Sequence, residues 1–92
     1  MSDFPFFQAD SGINENVFYR VFDKNINAKD LVWHRDKKNR RVTILTNEGG
    51  WKIQMDDCVP VELHVGQDYL IEKEFYHRLI KGQGVLIARI EE

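Results

Sequence analysis

From Asn16 to Ile90 the chain breaks into short stretches of Val, Ile, Leu and aromatic residues, separated by Gly, Asn, Asp or Pro about every ten residues. That spacing is too short for helices with buried stripes and matches strands joined by turns. The candidate strands are 17–22, 31–36, 40–46, 51–56, 61–65, 68–72, 75–80 and 85–90. No window of about a dozen residues carries a helical stripe, although 27–31 is long enough for one helical turn. So many short strands in a chain of 92 residues predict an all-β small barrel or sandwich.

The breaks have turn chemistry with a mechanism. Asn39 suits a left-handed backbone position, and Gly49-Gly50 supplies two residues free at positive φ, so both read as hairpins. Pro60 is tolerated where a strand begins, and Gly66 and Gly82-Gln83-Gly84 close two further turns. Residues 1–15 mix Phe4, Phe6 and Phe7 with Asp10, Ser11, Gly12 and Asn14 and follow neither period, which predicts an irregular N-terminal arm before one domain over 16–92. Its aromatics either tuck under the domain or contact a partner.

Charge and cysteine usage exclude several classes of function. Thirteen Lys and Arg against fifteen Asp and Glu leave a net charge of −2, without the basic field of a nucleic-acid binder. The basic run Arg35, Lys37, Lys38, Arg40 and Arg41 is interrupted by Asp36 and reads as a solvated hairpin. The single Cys58 forbids an internal disulfide and a multi-thiolate metal site, which suits a reducing cytoplasm. The opening residues lack a charged n-region and an apolar stretch of signal length, so neither a standard secretion signal nor a membrane span is expected. No phosphate loop, nucleophile elbow or triad spacing is present.

Strand alternation puts His34 and Asp36 on one side of 31–36 and groups His77 with Phe75 and Leu79 on an inward face. Two imidazoles and a carboxylate meeting inside a barrel could occupy one face of a divalent ion, leaving other positions for substrate, water or dioxygen. The competing reading has both histidines satisfied by hydrogen bonds and Asp36 opening a polar turn. Gln54 sits among Lys52 and Asp56, opposite Trp51, Ile53 and Met55, so it faces either the surface or a polar cavity. His64, beside Glu62, reads as an exposed strand residue. Carboxylates around Cys58 disfavour a nucleophilic thiolate.

The order of these pieces, His34-x-Asp36, a basic hairpin, the Gly49-Gly50 turn, then Gly66 and His77, resembles the two motifs of the cupin superfamily. The resemblance spans 31–92. His34 matches the first histidine of that family's first motif and His77 the last histidine of its second. Asp36 stands in place of the second histidine, Arg40 or Arg41 where a glutamate would sit, and Glu72-Lys73-Glu74 in place of Pro-x-Gly. The resemblance implies a double-stranded β-helix, a short jelly-roll barrel, with His34, Asp36 and His77 as ligands of iron, manganese, nickel or zinc. An arginine pointing inward would instead repel a cation and favour an anion.

Under that resemblance the cavity wall would include Gln54, Arg41, Trp33, Trp51, Phe75 and Tyr19, with Tyr76 a further aromatic candidate. The expected protein is a cytoplasmic metal-binding cupin acting on a small molecule, by dioxygenase-type or isomerase chemistry. The alternatives are a non-catalytic module that holds a small anion or sugar through Arg41, Gln54 and the histidines, and a structural protein that binds partners through its arm. A homodimer is expected, since small barrels leave edge strands to pair.

Overall fold

The computed structural model describes residues 6–92, and Phe4 of the arm lies outside them. The strands are β1 (Phe7–Asp10), β2 (Val17–Phe22), β3 (Arg40–Asn47), β4 (Lys52–Met55), β5 (Val61–Glu62), β6 (Asp68–Ile71), β7 (His77–Ile80) and β8 (Leu86–Glu91). Among the described residues they form a five-stranded sheet in the order β1-β2-β8-β3-β6 and a three-stranded sheet β5-β4-β7. Every pairing is antiparallel. This is the all-β barrel architecture expected from the turn spacing.

Period-two burial, which turns one face of a strand into the core, is clearest in β8. In β8, Leu86, Ala88 and Ile90 are buried and alternate with half-buried residues. Ile44 and Ile53 fill the same interior from opposite sheets. Trp51 is fully buried, and its Nε1 donates to the Gly84 carbonyl at 3.0 Å, so its one polar atom is satisfied. Gly82 makes room for that ring: a Cβ there would stand 2.5 Å from Trp51 Cδ1.

Two segments differ from the sequence expectation. Residues 7–10, read as irregular, pair with β2 in register, Phe7 with Val21 and Asp10 with Phe18. Edge strands borrow their order from the neighbour they pair with, so a fully exposed strand carries no alternation of its own to reveal it. Phe6, just before it, packs on the core, its ring 5.4 Å from that of Phe22.

Residues 31–36 are not a strand. A 3-10 turn at Ala28–Asp30, capped by the Asn27 side chain accepting from the Lys29 N–H at 3.0 Å, delivers the chain to β7. It touches β7 through one bridge, His34 to His77. Two residues later the Asp36 carbonyl accepts from the Glu74 N–H at 2.7 Å, in the turn before β7, and the ladder stops. Strand β7 also begins at His77 rather than at Phe75, which is exposed.

Candidate metal centre and cavity

The backbone brings the two histidines together. His34 and His77 exchange both main-chain hydrogen bonds at 2.9 Å, and their rings stand 4.3 Å apart at 60°. Each ring is fixed in the same way: Nδ1 lies 3.0 Å from the Val32 carbonyl in His34 and 2.9 Å from the Phe75 carbonyl in His77. A carbonyl only accepts, so Nδ1 carries a proton, and in the neutral ring Nε2 then keeps its lone pair. This is the outer support that orients metal-ligating imidazoles.

Both Nε2 atoms face Asp36. His34 Nε2 is 3.8 Å from Oδ1 and His77 Nε2 is 3.4 Å from Oδ2. One ligand atom from each of the three residues lies within 4.8 Å of the others. Atoms bound about 2.1 Å from a common first-row ion sit roughly 3–3.5 Å apart, so small side-chain rotations bring this set to coordination distance. Asp36 Oδ2 is buried and has no hydrogen-bond partner among the described residues, a costly state for a carboxylate oxygen that an ion would relieve. Burial holds the His77 imidazole below its ordinary pKa, with the Phe75 carbonyl opposing the shift, which favours the neutral form a metal needs. On donor chemistry, tautomers and the orphaned oxygen, the three residues fit a divalent ion.

The cluster lies on the wall of a cavity of about 380 Å³ that is otherwise largely apolar, with Phe22, Ile44, Ile53, Leu63, Ile71 and Leu79 on its walls. Arg40 also lines it, with Nη1 3.1 Å from Asp36 Oδ1 and Nε 2.8 Å from Glu92 Oε2. The inward arginine is therefore Arg40. Alternation along β3 sends Arg40, Val42 and Ile44 inward and turns Arg41 out, where its side chain is 56% exposed and nearest Glu91.

Several expected wall residues lie elsewhere. Gln54 accepts from Arg78 Nε and donates to the Cys58 carbonyl, both at 3.0 Å, because the apolar Trp51 and Ile53 take the inward side of that segment. Trp33 is exposed and stacks under Arg78, whose Cζ is 4.8 Å from the ring centroid. Trp51 is core beside Gly49 and Gly50, in the connection between the two sheets, and is not in the cavity lining. Phe75 and Tyr76 sit exposed in the turn before β7. Tyr19 occupies the face of β2 opposite Phe18, Arg20 and Phe22. His64 is exposed, as expected, but it lies between β5 and β6 and not in a strand.

Three polar residues of the lining, Asp30, Tyr69 and Arg20, escaped sequence reasoning. Tyr69 lies across from Val42 in the β3–β6 ladder, and its hydroxyl accepts from the His64 N–H at 2.8 Å and donates to the Glu62 carbonyl at 3.3 Å. Arg20 lies between Phe18 and Phe22, and the signal was present: Phe18-x-Arg20-x-Phe22 puts a cation on an apolar face.

No family model and no curated protein matches the chain. Solved structures do. A cupin domain from Bordetella pertussis is 19% identical at a TM-score of 0.65, with 99% of this chain and 96% of that one covered. A cupin-2 domain protein from Shewanella frigidimarina is 16% identical at 0.65, covering 94% and 78%. The iron(II) form of HppE with its substrate is 16% identical at 0.62, and this chain spans 52% of that protein while 95% of this chain is matched. Identities this low speak to the backbone, and with the two-sheet antiparallel barrel they show that the chain has the double-stranded β-helix fold of the cupin superfamily.

Proposed function

We propose that the protein is a metal-dependent cupin in which His34, Asp36 and His77 hold a divalent ion beside a cavity that receives a small molecule. The observation that carries this reading is the convergence of two Nε2 lone pairs with the unpartnered Asp36 Oδ2 on one cavity wall. Such an ion supplies a Lewis acid for a substrate oxygen and, if it is iron, a redox centre. HppE, similar in fold, is known with iron(II) and a substrate bound, which supports iron as the first metal to test. His77 and Asp36, both buried, would hold the ion from the protein side, and exposed His34 stands toward solvent. The apolar walls would exclude water from the bound molecule.

The reaction class within this reading is dioxygenase-type or isomerase chemistry, the protein acts in the cytoplasm, and it works as a homodimer. The exposed, unpaired Cys58 supports a reducing compartment. The exposed Phe7 and Leu70 on the outer strands β1 and β6 support pairing of two copies.

One observation favours a second reading, a binding module without catalysis: Arg40 already neutralises Oδ1 of Asp36. A single experiment separates the two. Protein prepared without a histidine tag is loaded with Fe²⁺, Mn²⁺, Ni²⁺ or Zn²⁺, desalted and analysed for metal. One equivalent retained by the parent and lost in His77→Ala supports the metal centre. Retention below stoichiometric level for every ion removes it and leaves the binding module.

A further inference from the structure

Among the described residues, Arg20 is the cavity-lining cation that has no carboxylate at ion-pair distance. It lies half-buried on the inward face of β2, with Cζ 4.1 Å from the Phe6 ring centroid and 5.2 Å from that of Phe18. Its Nε donates to Gln8 Oε1 at 3.0 Å, directly across the β1–β2 ladder. Among the described residues no carboxylate oxygen comes within 4.0 Å of it. Arg40, by contrast, has both Asp36 and Glu92.

The surroundings sharpen this imbalance. Burial, then repulsion from Arg40, lowers the Arg20 pKa to about 10, with Asp36 and Glu92 offsetting part of it at longer range. The group is still charged near neutral pH. Aromatic faces recover part of the desolvation cost of a cation, but they do not supply the planar two-oxygen partner that a guanidinium matches best. Because Nε is committed to Gln8, the terminal nitrogens remain to receive it. The remaining lining is mostly aliphatic and aromatic, with Asp30 as a further carboxylate on it.

We propose that the cavity binds a small carboxylate with an apolar body, the carboxylate held by Arg20 and the body lying against the aliphatic wall of Ile44, Ile53, Leu63 and Ile71. A carboxylate fits because Arg20 has none within ion-pair distance among the described residues, and a tail fits because the walls offer it little to hydrogen-bond. The N-terminal arm then has a part in recognition. Phe6 and Gln8 hold Arg20 in place, one beneath its plane and one at its Nε. The inference rests on reading the cavity as a ligand site and is independent of the metal.

The test uses the full chain stripped of metal with a chelator, so that an ion cannot supply the affinity for carboxylate. Hexanoate and hexanamide, matched in shape and differing in charge, are titrated calorimetrically. The expected result is a preference for hexanoate of about tenfold or more, equivalent to the roughly 1.4 kcal/mol of one charge-assisted contact. Arg20→Gln should bind the two alike, and Arg20→Lys should keep part of the preference. The inference is overturned if the parent binds neither compound, if it binds both equally, or if Arg20→Gln keeps the full preference. Should Arg20→Gln not fold, the parent comparison and Arg20→Lys decide. Metal analysis of a separate sample of the same protein, loaded with Fe²⁺ or Zn²⁺ and desalted without chelator, separates the two readings. Metal retained with no carboxylate preference sinks this inference alone, whereas carboxylate preference without metal retention sinks the metal centre alone.

Discussion

His34 and His77, distant in sequence, hold each other by two reciprocal main-chain hydrogen bonds of 2.9 Å, so the pairing of their rings is set by backbone and not by side-chain choice. Replacing either side chain leaves that bridge intact. His77→Ala should therefore keep the fold, checked by circular dichroism, while removing one donor. Its affinity for Zn²⁺ or Fe²⁺ should fall by more than the roughly 10–100-fold typical of outer-sphere changes. An unchanged affinity in calorimetry would mean that the ion binds elsewhere.

Arg40→Gln should act in opposite directions on the two forms of the protein. Without metal, the buried Asp36 loses its guanidinium partner, and breaking a pair so little exposed to solvent costs on the order of 3 kcal/mol. With metal, a competing cation is gone and the ion takes over its role, so Zn²⁺ should bind more tightly than to the parent. Thermal melts with and without Zn²⁺ would show a larger metal-induced rise in Tm for the variant. Equal rises would contradict the arrangement.

Burial lowers the His77 pKa in the folded state, which fixes the sign of one pH effect. The unfolded chain takes up its proton near the ordinary imidazole value of about 6.5, before the folded protein does. The stabilisation is thus complete above that value and is lost as pH falls from there through the folded-state pKa. Metal-free parent should melt at progressively lower temperature below about pH 6.5, and His77→Gln should flatten that part of the profile. A parent profile indistinguishable from that of His77→Gln would refute this.

Gly49 and Gly50, expected in a hairpin, instead connect β3 and β4 of different sheets, and they differ although both have φ of +79°. A Cβ at Gly50 meets nothing within 4 Å, so Gly50→Ala should cost only the left-handed strain, about 1–2 kcal/mol. A Cβ at Gly49 would run into the backbone of Gln83, whose N–H donates to the Gly49 carbonyl at 3.1 Å. Gly49→Ala should therefore be the more destabilising of the two in urea denaturation. The reverse order would show that this turn relaxes freely.

Much of the barrel was written in local pattern. The inward face of β8 follows period-two alternation, and Gly49-Gly50 marks a turn because positive φ is a property of the residue itself. The candidate triad was also visible, because its order along the chain resembles a known motif. The reason first given for the meeting of His34 and Asp36, alternation along a strand, does not hold: that segment bridges β7 once and turns away.

The sequence by itself determined the strand rhythm, the turn positions and the residue types able to bind an ion, since each depends on neighbours a few positions apart. Only the tertiary structure decided that β1 exists, that Arg40 and not Arg41 faces Asp36, that Gln54 points away, and that Arg20 has no carboxylate at ion-pair distance among the described residues. Those outcomes depend on which strands become neighbours and on the net charge of groups from separate strands. Pairing and electrostatic balance are long-range quantities, and no local window of sequence contains them.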